Sequence, residues 1–211
     1  MNNKNAVAEK LLQINAIKLS VNAPFTWASG WKSPIYCDNR RILSFPAERD
    51  FIKNAMYDLV SYTYDNIDLI AGVATAGIPW GTLLSDKLGL PFIYVRPKPK
   101  EHGLSNQIEG FYETGKRVVI VEDLISTGKS SLQVADVLAN AGLNILGMVS
   151  IFNYGFEIAR SAFNNKNVEY HSLTDYETLI NEAIKKNIIS GEDQKSLLKW
   201  SGNPSDWEAS S

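Results

Sequence analysis

Residues 118–131 read VVIVEDLISTGKSS. The opening four are β-branched and apolar, which suits a strand buried on both faces of a parallel sheet. Two acids, Glu122 and Asp123, follow at once, and a turn of small polar residues then opens a helical pattern. Carboxylates at a buried strand end are costly unless hydroxyls or a metal-bound ligand meet them. Ser126, Thr127, Gly128, Lys129 and Ser130 place backbone N–H groups at a helix N-terminus. Free donors and the helix macrodipole attract phosphate there. A ligand that answers both demands carries vicinal hydroxyls and a phosphate close together, as ribose 5-phosphate does.

Two other readings of this stretch stand beside that one. GKSS imitates a Walker A loop, but that motif needs a glycine five residues before Gly128, where this chain has Asp123. A plain strand-to-helix turn whose acids cap the helix is the second, although consecutive acids before a full phosphate turn exceed what capping requires.

Outward from this stretch, short apolar runs recur at residues 68–73, 92–95, 117–121, 145–152 and 168–173. Helical patterns over residues 77–88 and 130–141, each closed by a glycine (Gly89, Gly142), supply crossovers. The fold class is therefore α/β, a doubly wound and mainly parallel sheet flanked by helices. Amphipathic spacing predicts helices over 6–19 and 46–62, while Pro24, Gly30 and Pro34 make residues 23–39 loop and short strand. One domain is expected. It comprises an N-terminal hood of about residues 1–45, a core sheet over about 66–176, C-terminal helices over about 177–200 and a loosely held tail, 201–211.

Composition agrees with a single core, because 211 residues with 45% hydrophobic content suffice for one and are short for two. A formal net charge of −2 excludes whole-molecule attraction to nucleic acid or anionic membrane. The lone cysteine, Cys37, allows no internal disulfide and no zinc-site spacing. Neither a secretory signal nor a membrane span is read, so a reducing cytoplasm is expected.

In sheets of this kind ligands sit beyond the carboxyl ends of the strands, and two more loops there are unusual. Residues 96–110, RPKPKEHGLSNQIEG, gather Arg96, Lys98, Lys100 and His102, and their prolines and Gly103 forbid a helix. That length suggests a mobile lid, with a solvated charged loop as the alternative. Residues 72–81, GVATAGIPWG, are small enough for backbone to approach an anion, and tight helix–sheet packing explains them equally well.

The acid pair followed by a Ser/Thr-Gly turn resembles the phosphoribosyl-pyrophosphate signature of the type I phosphoribosyltransferases. Within that group the chain is similar to orotate phosphoribosyltransferases. Arg96, Lys100, His102 and Gly103 match their Arg-x-x-x-Lys-x-His-Gly loop, and Ser29, Gly30, Ser33, Pro34, Tyr36, Asp38 and Arg40 match their Ser-Gly-x-x-Ser-Pro-x-Tyr-x-Asp-x-Arg stretch. The similarity covers about residues 6–176.

The resemblance implies that Glu122 and Asp123 hold the ribose hydroxyls and that residues 126–130 hold the 5′-phosphate, with Leu124 and Ile125 also contacting phosphoribosyl pyrophosphate. It further implies that Thr75, Ala76 and Gly77 approach the pyrophosphate, and that Lys100, Arg96 and His102 stabilise its departure. Ser126, Tyr36, Ser29 and Gly30 would contact the base, the Tyr36 ring stacking on a flat pyrimidine. Mg²⁺ is expected as cofactor, held mainly through the substrate with Asp123 and Glu122 nearby. A homodimer sharing the flexible loop is implied, with no nucleic acid and no membrane as partner.

The chain departs from the family pattern at Lys129 (often glycine), Pro97 (often lysine), Ala28 (often lysine) and Asn153, in the segment where some relatives have arginine. A nucleic-acid-binding sensor keeping the same pocket would show a basic face or an added helix-turn-helix, which this sequence lacks. Purine enzymes lack the Ser-Gly-x-x-Ser-Pro stretch. His171 reads as an ordinary strand residue.

Overall fold

The computed structural model describes residues 3–27, 30–98, 107–204 and 207. Helix α1 (Lys4–Gln13) turns Val7, Ala8, Leu11 and Leu12 inward. It ends six residues before the boundary expected from periodicity, because Asn15 takes a left-handed backbone (φ 54°) and breaks the helical ladder. The chain continues instead as strand β1 (Ile17–Leu19). Strands β2 (Phe25–Thr26) and β3 (Lys32–Ser33) form a hairpin, and β4 (Ile35–Cys37) returns antiparallel to β1. This small antiparallel assembly is the hood. A 3-10 turn (Asn39–Ser44) then leads into α2 (Pro46–Thr63), with proline in the first turn, where its missing N–H costs nothing.

The sheet is built by β5 (Leu69–Val73), β6 (Phe92–Val95), β7 (Ile108–Glu109), β8 (Arg117–Val121), β9 (Leu124–Ile125), β10 (Asn144–Asn153) and β11 (Tyr170–Asp175). Its strand order is β11-β10-β8-β5-β6-β7, with β9 extending the pairing along β10. The main strands are parallel, while β7 runs antiparallel to β6 at one edge. Crossovers α3 (Gly77–Leu88) and α4 (Lys129–Asn140) lie where the apolar spacing predicts them. Helix α5 (Glu157–Lys166) joins β10 to β11, and α6 (Tyr176–Lys185) and α7 (Gly191–Gly202) close the chain.

Period-2 alternation along the central strands divides the core. Val119 and Val121 join one cluster with α1, α2, α3, α6 and α7, whereas Val118 and Ile120 join the other with α4 and α5. The sheet is thus covered on both faces, as its continuous apolar strands require. Trp207, within the tail segment, is only 8% exposed and belongs to the larger cluster. No described helix is long and apolar enough to cross a membrane.

The strand order fixes where a ligand binds. From β5 the chain moves outward to β6 and β7, then returns to place β8 on the other side of β5. The connections leaving β5 and β8 therefore diverge to opposite sides and open a crevice at their carboxyl ends. Residues 74–77 and 122–130 occupy that switch point.

Candidate active site

Glu122 and Asp123 leave β8 at the crevice. Glu122 is 6% exposed, and both its oxygens are engaged internally: Oε1 accepts from the Asp123 N–H at 3.0 Å and Oε2 from the Ser131 hydroxyl at 3.2 Å. Burial raises the pKa of Glu122 well above the usual carboxylate range, and the neighbouring Asp123 charge adds to the rise. Asp123, partly exposed, is also raised by burial, but its contact with Glu122 works the other way and favours its ionised form. Asp123 is thus the acid presented outward and the first of the pair to ionise.

The turn that follows is shaped for an anion. Gly128 caps α4 with φ 77°, and a methyl group there would lie 2.6 Å from the Phe163 ring, so the turn needs glycine for both conformation and space. Lys129 and Ser130 open α4 and are exposed, while Ser126 and Thr127 are half-buried. Leu124 and Ile125 pair with Phe152 and Asn153 of β10, which fixes the start of the turn to the sheet.

Residues 74–77 face this turn across the crevice. Thr75 is exposed at its tip, Ala76 precedes the helix, and the Ala74–Thr75 peptide is cis. Gly77 begins α3, and a β-carbon on it would collide with the Val121 carbonyl and press on Glu122. The two loops therefore touch through main chain.

A cavity of about 240 Å³ adjoins the acids. Thr26, Trp27 and Tyr36 of the hood form one side, and Leu124, Ser126 and Tyr154 form the other, with Cys37 between. Tyr36 is 42% exposed and its ring lies 5.6 Å from that of Phe25. Cys37 is pushed well above its ordinary thiol pKa by burial and by the charges of Asp123 and Asp38, which disqualifies it as a nucleophile. A second cavity of about 280 Å³ lies behind Tyr154, lined by Asn153, Arg160 and Asp175. The smaller one adjoins the acid pair, with Leu124 and Ser126 of the following turn in its wall.

Most expected site residues converge here. Tyr36 and Ser126 line the smaller cavity, whereas Gly30 sits in the β2–β3 turn with φ 88° and its N–H donates to the Trp27 carbonyl. Arg96 lies at the foot of the basic loop, 3.6 Å from Glu109; its N–H donates to the Gln107 carbonyl at 2.8 Å and the Gln107 side-chain amide donates to the Arg96 carbonyl at 3.2 Å, joining the loop's two ends. Lys100, His102 and Ser29 lie outside the described residues. His171, on the edge strand, lies with its Nε2 3.0 Å from the Glu169 carboxylate.

Three contributors escaped the sequence reading. Trp27 and Tyr154 both wall the cavity. Asn39, fully buried, donates to the Asp123 carbonyl at 2.8 Å and ties the hood to the acids. The only local hint was Tyr154's position just after a predicted strand.

Residues 38–182 match the phosphoribosyl transferase domain family. Over 208 residues, 99% of this chain and 100% of the relative, the sequence is 50% identical to an orotate phosphoribosyltransferase of Cytophaga hutchinsonii. The chain belongs to the orotate phosphoribosyltransferase family. Among solved structures similar to this family member, orotate phosphoribosyltransferase from Aeropyrum pernix superposes with a TM-score of 0.76 at 28% identity, over 87% of this chain and 99% of that one. Leishmania donovani UMP synthase gives a TM-score of 0.79 at 27% identity over 94% of this chain, which spans 42% of that longer protein.

Proposed function

We infer that this chain transfers the phosphoribosyl group of 5-phosphoribosyl-1-pyrophosphate to orotate, releasing pyrophosphate and forming orotidine 5′-monophosphate in de novo pyrimidine synthesis. The carrying observation is that one crevice holds the acid pair, the phosphate turn and an aromatic-walled cavity side by side. Full-length similarity to an orotate phosphoribosyltransferase supports the choice of base.

In this reading the phosphate turn, residues 126–130, takes the 5′-phosphate, and Asp123, backed by Glu122, takes the ribose hydroxyls. The Tyr36 and Trp27 rings sandwich the base so that its nitrogen faces C1. Holding both reactants in one geometry supplies much of the rate, since the described lining offers no activated covalent nucleophile. As the bond from C1 to pyrophosphate lengthens, positive charge grows on the sugar and negative charge on the leaving group. Arg96, Lys100 and His102 are the residues assigned to the latter, closing from the basic loop and excluding water.

The described residues contain no cluster of three or more potential metal ligands. Two adjacent carboxyl groups, one turned inward, cannot complete the six oxygens Mg²⁺ prefers, but they fit a Mg²⁺ that takes most of its ligands from substrate. Asp123, with Glu122 behind it, would hold the ion beside the ribose, where it would neutralise pyrophosphate charge. A homodimer whose residues 96–110 reach the partner's site, and a cytoplasmic setting suited to the single thiol, belong to the same proposal.

The test mixes the protein with phosphoribosyl pyrophosphate, Mg²⁺ and each of orotate, uracil, hypoxanthine and adenine, and identifies the nucleotide formed. Orotidine monophosphate is expected from orotate alone; turnover of another base in its place overturns the assignment.

A further inference from the structure

Orotate brings a carboxylate into a cavity whose described lining carries no charge to meet it. Thr26, Trp27, Tyr36, Leu124, Ser126 and Tyr154 are neutral, and the Asp123 carboxylate, whose charge reaches Cys37 and Tyr154 in the cavity wall, repels an anion. Taking a carboxylate out of water without a partner is costly, so a cation is needed at the rim. Two basic side chains approach it from the hood. Arg40 is committed: its Nε lies 2.6 Å from Asp38 Oδ1, and this contact holds the Asp38 carboxyl below the usual range.

Lys32 stands differently. It lies on β3 directly across from Thr26 on β2, and its Nζ donates to the Thr26 hydroxyl at 2.8 Å. Thr26 itself lines the cavity. No ion pair engages Lys32 among the described residues, so its ammonium rests on a neutral hydroxyl that it can exchange for a carboxylate at little cost. Its backbone is anchored, since the Trp200 indole N–H donates to the Lys32 carbonyl at 3.1 Å and the Trp27 ring packs edge-on against Trp200. The main chain is thus fixed while a long side chain swings over the cavity mouth.

We propose that Lys32, parked on the Thr26 hydroxyl at the cavity rim, receives the carboxylate of the base and sets selectivity for orotate over uracil. The proposal rests on the reading of orotate as substrate. It also accounts for a chain that has Ala28 and Asn153 where relatives carry cations.

The experiment first measures wild-type turnover of orotate and uracil, then KM and kcat for Lys32→Ala, Lys32→Arg and Thr26→Val. Lys32→Ala is expected to raise KM for orotate by roughly ten- to a hundredfold, the loss of one hydrogen bond to a charged group. KM for phosphoribosyl pyrophosphate should hold, and preference for orotate over uracil should fall by the same factor. Lys32→Arg should restore most of the loss. Thr26→Val removes the hydroxyl that the ammonium gives up on binding, so KM for orotate should hold or fall; a rise in this variant overturns the exchange, which keeps the test open should Lys32→Ala fold poorly. An unchanged KM for orotate in Lys32→Ala, or equal losses for both substrates, overturns the role of Lys32 alone. A wild type that ignores orotate overturns the substrate reading and this proposal with it.

Discussion

The Asn39 side-chain amide donates to the Asp123 carbonyl at 2.8 Å, joining residues 84 positions apart in sequence. Its own oxygen accepts from the Cys37 thiol at 3.4 Å. Through this one side chain the strand that carries Tyr36 is fastened to the peptide that aims the outward acid. Replacing Asn39 by alanine strands a buried carbonyl, a loss of about 1–3 kcal/mol, and lets the acid drift. Thermal melting should show the destabilisation, and KM for phosphoribosyl pyrophosphate should rise with it. Asn39→Asp should be worse, because it adds a third carboxyl beside Glu122 and Asp123; equal stability of the wild type and both variants refutes the link.

The buried acid pair makes the ligand-free protein respond to pH in a definite sense. Glu122 has a folded-state pKa above its unfolded value, so between the two the folded state binds more protons and stability falls as pH rises. The loss begins near the ordinary glutamate pKa and ends at the raised one. Melting curves from mildly acidic to neutral pH should show this decline, and Glu122→Gln should flatten it while weakening sugar binding. A glutamine variant with the wild-type slope would dismiss Glu122 as the source.

Gly128→Ala tests the phosphate turn. The new methyl meets the Phe163 ring at 2.6 Å in a left-handed backbone that side chains resist. Conformation and crowding together should cost about 1–3 kcal/mol and raise KM for the sugar donor more than for the base. Gly191→Ala, where the added carbon meets nothing within 4 Å, is the matched control and should leave both constants unchanged.

The parts read correctly from sequence are those whose physics is local. Residues 117–121 announce a buried strand by composition, and the acids with their glycine turn, too polar for the interior, lie at the crevice at that strand's end. The strands at 92–95 and 117–121 fall where expected. The first helix was overrun because its amphipathic spacing carries through Asn15, and only backbone conformation there reveals the stop. Asn39 was invisible for a different reason: its partner lies far along the chain, and an asparagine beside an expected Asp-x-Arg motif looks like any turn residue. Trp200 falls outside the residues that carry the family resemblance, so its reach back to the hood had no local sign.

That reach can be measured. Trp200 is fully buried, contacts Trp27, Tyr154, Phe156 and Tyr176, and hydrogen-bonds the hood at Lys32. Trp200→Ala should cost about 3–5 kcal/mol and raise KM for the base through a loosened Trp27. Trp200→Phe keeps most of the packing and loses the hydrogen bond, so it should recover stability more than base affinity. Wild-type base affinity in the alanine variant would separate the C-terminal helix from the site.

Gly77 has a quieter consequence. Because the strand end and the opposing loop meet carbonyl to α-carbon, the proposed binding mode leaves the distance between the donor's two anchoring ends written in the polypeptide itself. Side-chain substitution cannot lengthen that span. Evolution of such a crevice is therefore steered to its margins, where one heterocycle can be exchanged for another while the reach across the activated sugar stays constant.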